Sequence, residues 1–454
     1  MPITRRAFLP MAAAALPAQP ARRPNILVIL ADDLGYQDLG FQGSPDIRTP
    51  HLDRLAATGL RFTNGYVSHP FCSPARAGLM TGRYQHRFGH ENNMVFDPAD
   101  ATTGLPLSET TLAEELARAG YATGLVGKWH LGAHPKFHPH KRGFQEMWGF
   151  IGGGHDYFHP GTPGDPDQHF IPIEFNGKIV PEKEYLTTAL GREAAAFVRR
   201  HAHHPFFLYL AFNAPHTPLQ APQSYLRKYP GIHDPDRRTY AAMVTAMDDA
   251  IGETLDALRE KGIEDNTLAV FLNDNGGPSG NASSNHPLRG TKRTLYEGGV
   301  RVPFVVRWPG SPLMGKTSDA PVTSLDVLPT ALTAAGVKPR ARTLDGVNLL
   351  PALEGKSPFA VDRSLYWRTF GGAGAAMRDG NLKWVRDVGR GAELYDLASD
   401  PAEKNNLAAA RPEEARRLQD KWERWSAQMA KPAWLDHIFD RERLASPATA
   451  RVSP

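Results

Sequence analysis

Cysteine is almost missing from this chain: Cys72 is the only one among 454 residues. No internal disulfide can form, so cysteine usage does not indicate a redox compartment. Charge of one sign is also scarce. The formal balance is +4, and Arg5 and Arg6 belong to an N-terminal segment set apart from the rest. That excess is too small for a nucleic-acid surface, and no such partner is expected. Beyond the N-terminus there are no internal repeats and no low-complexity blocks. The apolar run Met11–Leu16 is too short to hold a helix across a bilayer, so no stable membrane insertion is expected. It follows Thr4-Arg5-Arg6-Ala7-Phe8-Leu9, and Ala18 suits a cleavage site. Residues 1–20 thus look like a twin-arginine export signal, which implies a periplasmic or secreted protein.

The length exceeds one typical domain and predicts two. Asn25–Leu30, Pro205–Phe212 and Thr267–Leu272 are continuous apolar runs, the pattern of strands buried on both faces in a parallel sheet. Val302–Trp308 reads as a further strand. Helical patterns cover His51–Gly59, Thr111–Ala119, Tyr240–Lys261 and Ser324–Ala335. Between Gly346 and Val361 the pattern changes. Ser364–Arg368, Ala376–Arg378, Leu382–Val385 and Glu393–Asp396 are short and alternating, which predicts a small antiparallel sheet with Ala409–Met429 as its packing helix. The expected division is an α/β catalytic domain over 21–355, an α+β subdomain over 356–445 and a loose tail over 446–454.

The chemistry concentrates at strand ends. Asp32 and Asp33 follow the first apolar run, and Asp274 and Asn275 follow the third, where open α/β sheets place ligands. Adjacent carboxylates need a cation or strong donors beside them. Four oxygen donors favour a hard ion such as Ca²⁺ or Mg²⁺. Pro74 suits the first position of a helix, which puts Cys72 just ahead of a positive helix end with Arg76 in the first turn. Such a cysteine is either a low-pKa nucleophile or a buried small apolar residue, and the residues alone leave both open. If Lys128-Trp129-His130 is extended, Lys128 and His130 project to one side; surface residues at that spacing are the ordinary alternative. His216, between Pro215 and Pro218, is rigidly placed but otherwise resembles any loop histidine. Residues 133–180 carry little periodicity, and His155-Asp156 within them are candidates for a substrate-facing loop.

Together these segments resemble one family. Cys72-x-Pro74-x-Arg76 followed by Leu79-x-Thr81-Gly82-Arg83 resembles the signature of the type I sulfatases, with Ala75 where many members have Ser. Gly120-Tyr121-Ala122-Thr123-Gly124-Leu125-Val126-Gly127-Lys128-Trp129-His130 resembles their second signature. Pro215-His216-x-Pro218 and Lys292 ahead of Tyr296-Glu297-Gly298-Gly299 match two more motifs, although Arg293 does not match. Leu394-Tyr395-Asp396-Leu397 resembles the family's C-terminal domain. The resemblance implies an alkaline-phosphatase-like fold and a sulfate-ester hydrolase. It implies that a formylglycine-generating maturation enzyme oxidises Cys72, and that one Ca²⁺ is held by Asp32, Asp33, Asp274 and Asn275 with residue 72. Its other implied active-site residues are Arg76, Lys128, His130, His216 and Lys292. His216 or Lys292 would protonate the leaving alcohol, and Asp274 would assist as base. A sulfated sugar, of galactose or N-acetylgalactosamine type, is the expected substrate. A phosphonate or phosphate ester hydrolase of the same fold is the alternative.

Overall fold

The computed structural model describes residues 23–436 except 166, 341 and 342. The expected export signal over 1–20 and the tail over 446–454 lie outside these residues. Among the described residues, no helix is long and apolar enough to cross a membrane.

A ten-stranded mixed sheet runs through the larger part of the molecule. Its middle is parallel, in the order Thr267–Asn273, Asn25–Ala31, Phe206–Ala211, Ala122–Lys128, Glu146–Phe150. Phe304–Arg307 joins one side antiparallel, and two short strands extend the other. The continuous apolar character of Ile26–Ala31 follows from its place in this order. Leu27 and Ile29 point into a core shared with the helices Leu186–His201 and Pro235–Glu260. Ile26, Val28 and Leu30 point into the opposite core, shared with Leu79, Met80, Leu112 and Leu116. With both faces covered, no position is left for a polar alternation.

Helix starts differ from expectation where capping decides them. The long helix begins at Pro235, because Asp234 accepts the Arg237 N–H at 2.8 Å and Pro235 loses nothing at the first position. The Cys72 helix spans Cys72–Thr81, so Cys72 is its first residue and Pro74 its third. Pro74 is tolerated there because the first-turn N–H groups have no intrahelical partner.

The C-terminal unit is a four-stranded antiparallel sheet, Ser364–Thr369, Gly374–Asp379, Leu382–Arg386 and Glu393–Asp396, with the helix Pro412–Ser426 packed on it. Leu418, Trp422 and Trp425 of that helix meet Met377, Trp384 and Leu394. The other sheet face packs on the larger α/β unit through Tyr66, Leu295, Tyr296 and Val300. This α/β body with a smaller α+β unit agrees with the architecture expected from sequence.

Candidate active site

Four neighbouring parallel strands end at one edge of the sheet, and each delivers polar residues there. Asn25–Ala31 leads into Asp32 and Asp33, Thr267–Asn273 into Asp274 and Asn275, Phe206–Ala211 into His216, and Ala122–Lys128 ends on Lys128. Backbone hydrogen bonds tie the ends together: Asp32 N–H to Ala214 O at 3.1 Å, and Asp274 N–H to Ala31 O at 3.2 Å. Asp33 adopts a left-handed backbone, φ 61°, and its carbonyl accepts from Asn281 Nδ2 at 3.0 Å. His130 is also left-handed, φ 56°. The segment Lys128–His130 therefore turns instead of running extended, as Trp129 leaves to bury its ring beside Phe144.

The N-terminus of the Cys72 helix faces this edge. Cys72 Sγ lies 3.6 Å from Asp32 Oδ1 and 3.2 Å from Lys292 Nζ. Arg76, fully buried, reaches Asp32 Oδ2 at 3.1 Å and Asp274 Oδ2 at 2.9 Å. Lys128 Nζ bonds Asp32 Oδ2. Lys292 Nζ is 2.7 Å from Asp33 Oδ1, and His216 Nε2 is 3.5 Å from Asp33 Oδ2. The loop carrying Lys292 is seated against Asn275 through Gly276. A Cβ at 276 would stand 1.8 Å from Gly298 O, so only glycine permits the Gly276 N–H to reach Gly299 O at 3.0 Å.

Burial and mutual charge set the protonation states. Burial works to raise the Asp32 carboxyl, but Lys128, His216 and Arg76 outweigh it and hold it below the usual range. Asp274 moves the other way, raised by burial and by neighbouring Asp32. Burial pushes the Cys72 thiol up, against the pull of Lys128 and Lys292. The low-pKa thiolate left open by the sequence is therefore not what this setting favours: as encoded, Cys72 is a buried thiol. His130 lies well below its ordinary value, from burial and then from Lys128 and Arg76, which leaves its ring neutral. His216 is lowered by burial despite Asp33, and donates Nδ1–H to Thr217 O at 2.7 Å.

Asp32, Asp33, Cys72 and Asp274 each offer a ligand atom, all within 4.8 Å of one another. Two acceptor oxygens beside them, Asp274 Oδ1 and Asn275 Oδ1, are buried without a hydrogen-bond partner. Orphaned buried acceptors are costly. A hard cation would satisfy them, so the donor set fits the oxygen-liganded metal expected from sequence.

His155 and Asp156, the candidates for a substrate-facing loop, make hydrogen bonds that shape this segment. The His155 ring is buried against Phe150, with Nδ1 2.6 Å from Asp156 O and Nε2 2.7 Å from Ile171 O. Asp156 Oδ1 accepts from the Phe158 and His159 N–H groups, and Oδ2 accepts from Gln220 Nε2. Both residues hold the loop in shape, because a long irregular segment must satisfy its own backbone. This loop reaches the site at Tyr157, whose hydroxyl donates to His216 O at 2.8 Å, and at Gly154, where a Cβ would lie 3.7 Å from the His216 ring.

Several residues at the site carried no sequence signal. Ser73 Oγ contacts the His90 ring at 2.7 Å and donates to His130 O at 2.7 Å, while Ser73 N–H donates to Asn93 Oδ1 at 3.0 Å. These contacts fix the first turn of the Cys72 helix.

Residues 24–337 match the sulfatase family model, and residues 290–428 match the C-terminal model of N-sulphoglucosamine sulphohydrolase. N-acetylgalactosamine-6-sulfatase of Homo sapiens is 39% identical over 364 residues, 76% of this chain and 68% of its own length. The crystal structure of Ps i-CgsB in complex with k-i-k-neocarrahexaose has a TM-score of 0.88 at 39% identity, covering 95% of this chain and 98% of that one. The phosphonate monoester hydrolase of Agrobacterium radiobacter shares the fold, with a TM-score of 0.66 at 24% identity over 89% of this chain and 96% of its own. With the strand ends, the Cys72 helix and the two lysines gathered as described, these matches make the chain a member of the sulfatase family in the alkaline-phosphatase-like superfamily, and a sulfuric ester hydrolase.

Proposed function

We propose that the protein desulfates a carbohydrate, using a nucleophile made from Cys72 and one Ca²⁺ beside it. The observation that carries this reading is the meeting of Cys72 with Asp32 and Lys292 at 3.6 and 3.2 Å, next to orphaned acceptors on Asp274 and Asn275. Formylglycine at position 72 would supply a hydroxyl nucleophile as its hydrate, and Ca²⁺ held by Asp32, Asp33, Asp274 and Asn275 would supply Lewis acidity. The encoded Sγ stands in for one oxygen of that hydrate.

The remaining work falls to the chain's own side chains. Lys128 and Lys292 offset the charge of a bound sulfate, while Arg76, tied to both Asp32 and Asp274, keeps the two carboxylates in place. His216 or Lys292 protonates the departing alcohol. His130, with a neutral ring and its carbonyl held by Ser73, takes up a proton released at position 72. Asp274 Oδ2 is engaged by Arg76 and its Oδ1 is the oxygen that would face the cation, so a role as base falls to that same metal-facing oxygen.

N-acetylgalactosamine-6-sulfatase and the neocarrahexaose complex support a substrate of galactose or N-acetylgalactosamine type. Within the same reading the catalytic domain covers 21–355 and the α+β subdomain 356–445. The protein is exported by its twin-arginine-type signal after a maturation enzyme has modified Cys72. The test is a turnover screen of matured enzyme on defined sulfated saccharides, phosphate monoesters and phosphonates, with peptide mass spectrometry of residue 72. Faster turnover of phosphonates than of any sulfate ester, or full activity with an intact thiol, overturns the proposal.

A further inference from the structure

Beyond the helix Pro412–Ser426 the chain turns back to the catalytic unit. Ala430 N–H donates to His86 O and Ala433 N–H to Gly89 O, each at 2.9 Å. The approach is close: a Cβ on Gly89 would lie 2.8 Å from Lys431 O, and its φ is +75°. Trp434 then pairs with Asn92 twice, through Nε1–H to Asn92 O at 3.0 Å and Asn92 Nδ2–H to Trp434 O at 2.8 Å. Its ring meets His90 edge-on at 4.7 Å. Two residues later Asp436, buried, forms an ion pair with Arg293 at 3.2 Å.

Both anchors of this strap flank Cys72. On one side, Asn93 next to Asn92 accepts the Ser73 N–H. On the other, the Arg293 guanidinium covers the Phe71 ring at 4.8 Å, and Arg293 N–H donates to Pro70 O at 3.1 Å. Arg293 immediately follows Lys292, whose Nζ touches Cys72 Sγ. Its backbone is left-handed, φ 79°, a conformation that costs a non-glycine residue energy and concentrates at ligand sites. The side chain remains 31% exposed beside a buried counter-ion. A guanidinium has five N–H donors in a planar fork, more than one carboxylate uses, and it suits oxyanions such as sulfate.

We propose that Arg293 is an anion subsite at the mouth of the active site, binding a second sulfate group of a substrate whose first sulfate is at Cys72. The strap Ala430–Asp436 tunes it. Phe71 supports the guanidinium from below, and Asp436 holds it in place while competing with the incoming sulfate. The substrate class is then a multiply sulfated saccharide, which deepens the carbohydrate reading above and rests on it.

The experiment compares wild type, Arg293→Gln, Arg293→Lys and Asp436→Asn in matured full-length enzyme, each checked for its melting temperature. Turnover of 4-nitrophenyl sulfate is the common readout, with sucrose octasulfate and monosulfated galactose as competitive inhibitors. In wild type the octasulfate is expected to inhibit more strongly, and more so at low salt. Charge-assisted hydrogen bonds of this kind correspond to roughly 10- to 100-fold in affinity, so Arg293→Gln should weaken the octasulfate by that factor. Monosulfated galactose and 4-nitrophenyl sulfate kinetics should change less than about twofold by comparison, since one sulfate does not reach Arg293. Asp436→Asn should tighten the octasulfate, and Arg293→Lys should retain part of its affinity. Equal weakening of both inhibitors in Arg293→Gln, or no octasulfate preference in wild type, overturns the subsite. A wild type that accepts aryl sulfates but no sulfated saccharide overturns the carbohydrate reading alone, because the inhibitor ratio still reports on Arg293.

Discussion

Lys383 should be the residue on which the C-terminal unit's hold over the active-site loop depends. Its ammonium is fully buried, 2.9 Å from Glu297 Oε1 and 3.0 Å from Glu403 Oε1. Glu403 Oε2 also accepts the Glu297 N–H at 2.7 Å, and Glu297 Oε2 accepts from Tyr66 OH at 2.7 Å. Glu297 closes the loop that carries Lys292, so the C-terminal sheet clamps that loop through the buried Lys383, beside the half-buried bonds of Arg289 and Tyr296 to Glu393. In Lys383→Met the two carboxylates face each other without it. Arg301, 3.3 Å from Glu297, compensates one of them only. Removing one partner of a buried ion pair costs about 3–5 kcal/mol, measurable as a lower urea midpoint. Glu403 is already raised, by burial and then by Glu297, and in the variant it should take up a proton. A carboxyl raised in the folded state loses stability as pH rises through that window, so the deficit should be larger at pH 8 than at pH 6. Adding Glu403→Gln should restore part of the loss. Activity of Lys383→Met on 4-nitrophenyl sulfate should fall at temperatures where the protein is still folded. A cost below about 1 kcal/mol, or a deficit independent of pH, would refute the reasoning.

Three further outcomes are expected. Chelation of matured enzyme should abolish activity and lower the melting temperature, and Ca²⁺ should restore both in a concentration-dependent way, because an ion bound only by the native state stabilises it; undiminished activity without metal contradicts the site. His216→Ala should depress kcat more on a sugar sulfate than on 4-nitrophenyl sulfate, by about 10²–10⁴-fold if it is the general acid; equal losses on both would assign it to sulfate binding, and the same comparison on Lys292→Ala tests the other candidate. His86 is held at about 4 by burial, and its Nδ1 has no partner to receive a proton. The unfolded chain binds that proton more readily, so stability should be full above pH 6.5 and fall toward pH 4, by roughly 3 kcal/mol at most. His86→Gln should flatten that slope in pH-dependent unfolding.

The sequence by itself determined three of the parallel strands, since a strand covered on both faces is apolar along its length, as Ile26–Ala31 is; Ala122–Lys128 and Glu146–Phe150 carry no such run and became strands only in the sheet. It also pointed to the polar residues that follow those strands and to the Cys72, Lys128, His216 and Lys292 segments, because motif residues sit at fixed local spacing. Tertiary structure alone decided what those residues touch. The order of the strands brings Asp274 beside Asp32, and the clamp joins Glu297 to Lys383 and Glu403. His155 bonds the carbonyls of Asp156 and Ile171, Asp156 bonds Gln220, and Arg293, a mismatch in its motif, pairs with Asp436 across 143 positions. Periodicity and capping act over a few residues and leave a trace in the local pattern. Ion pairs between distant segments depend on sheet order and domain packing, and the one-dimensional sequence carries no local record of either.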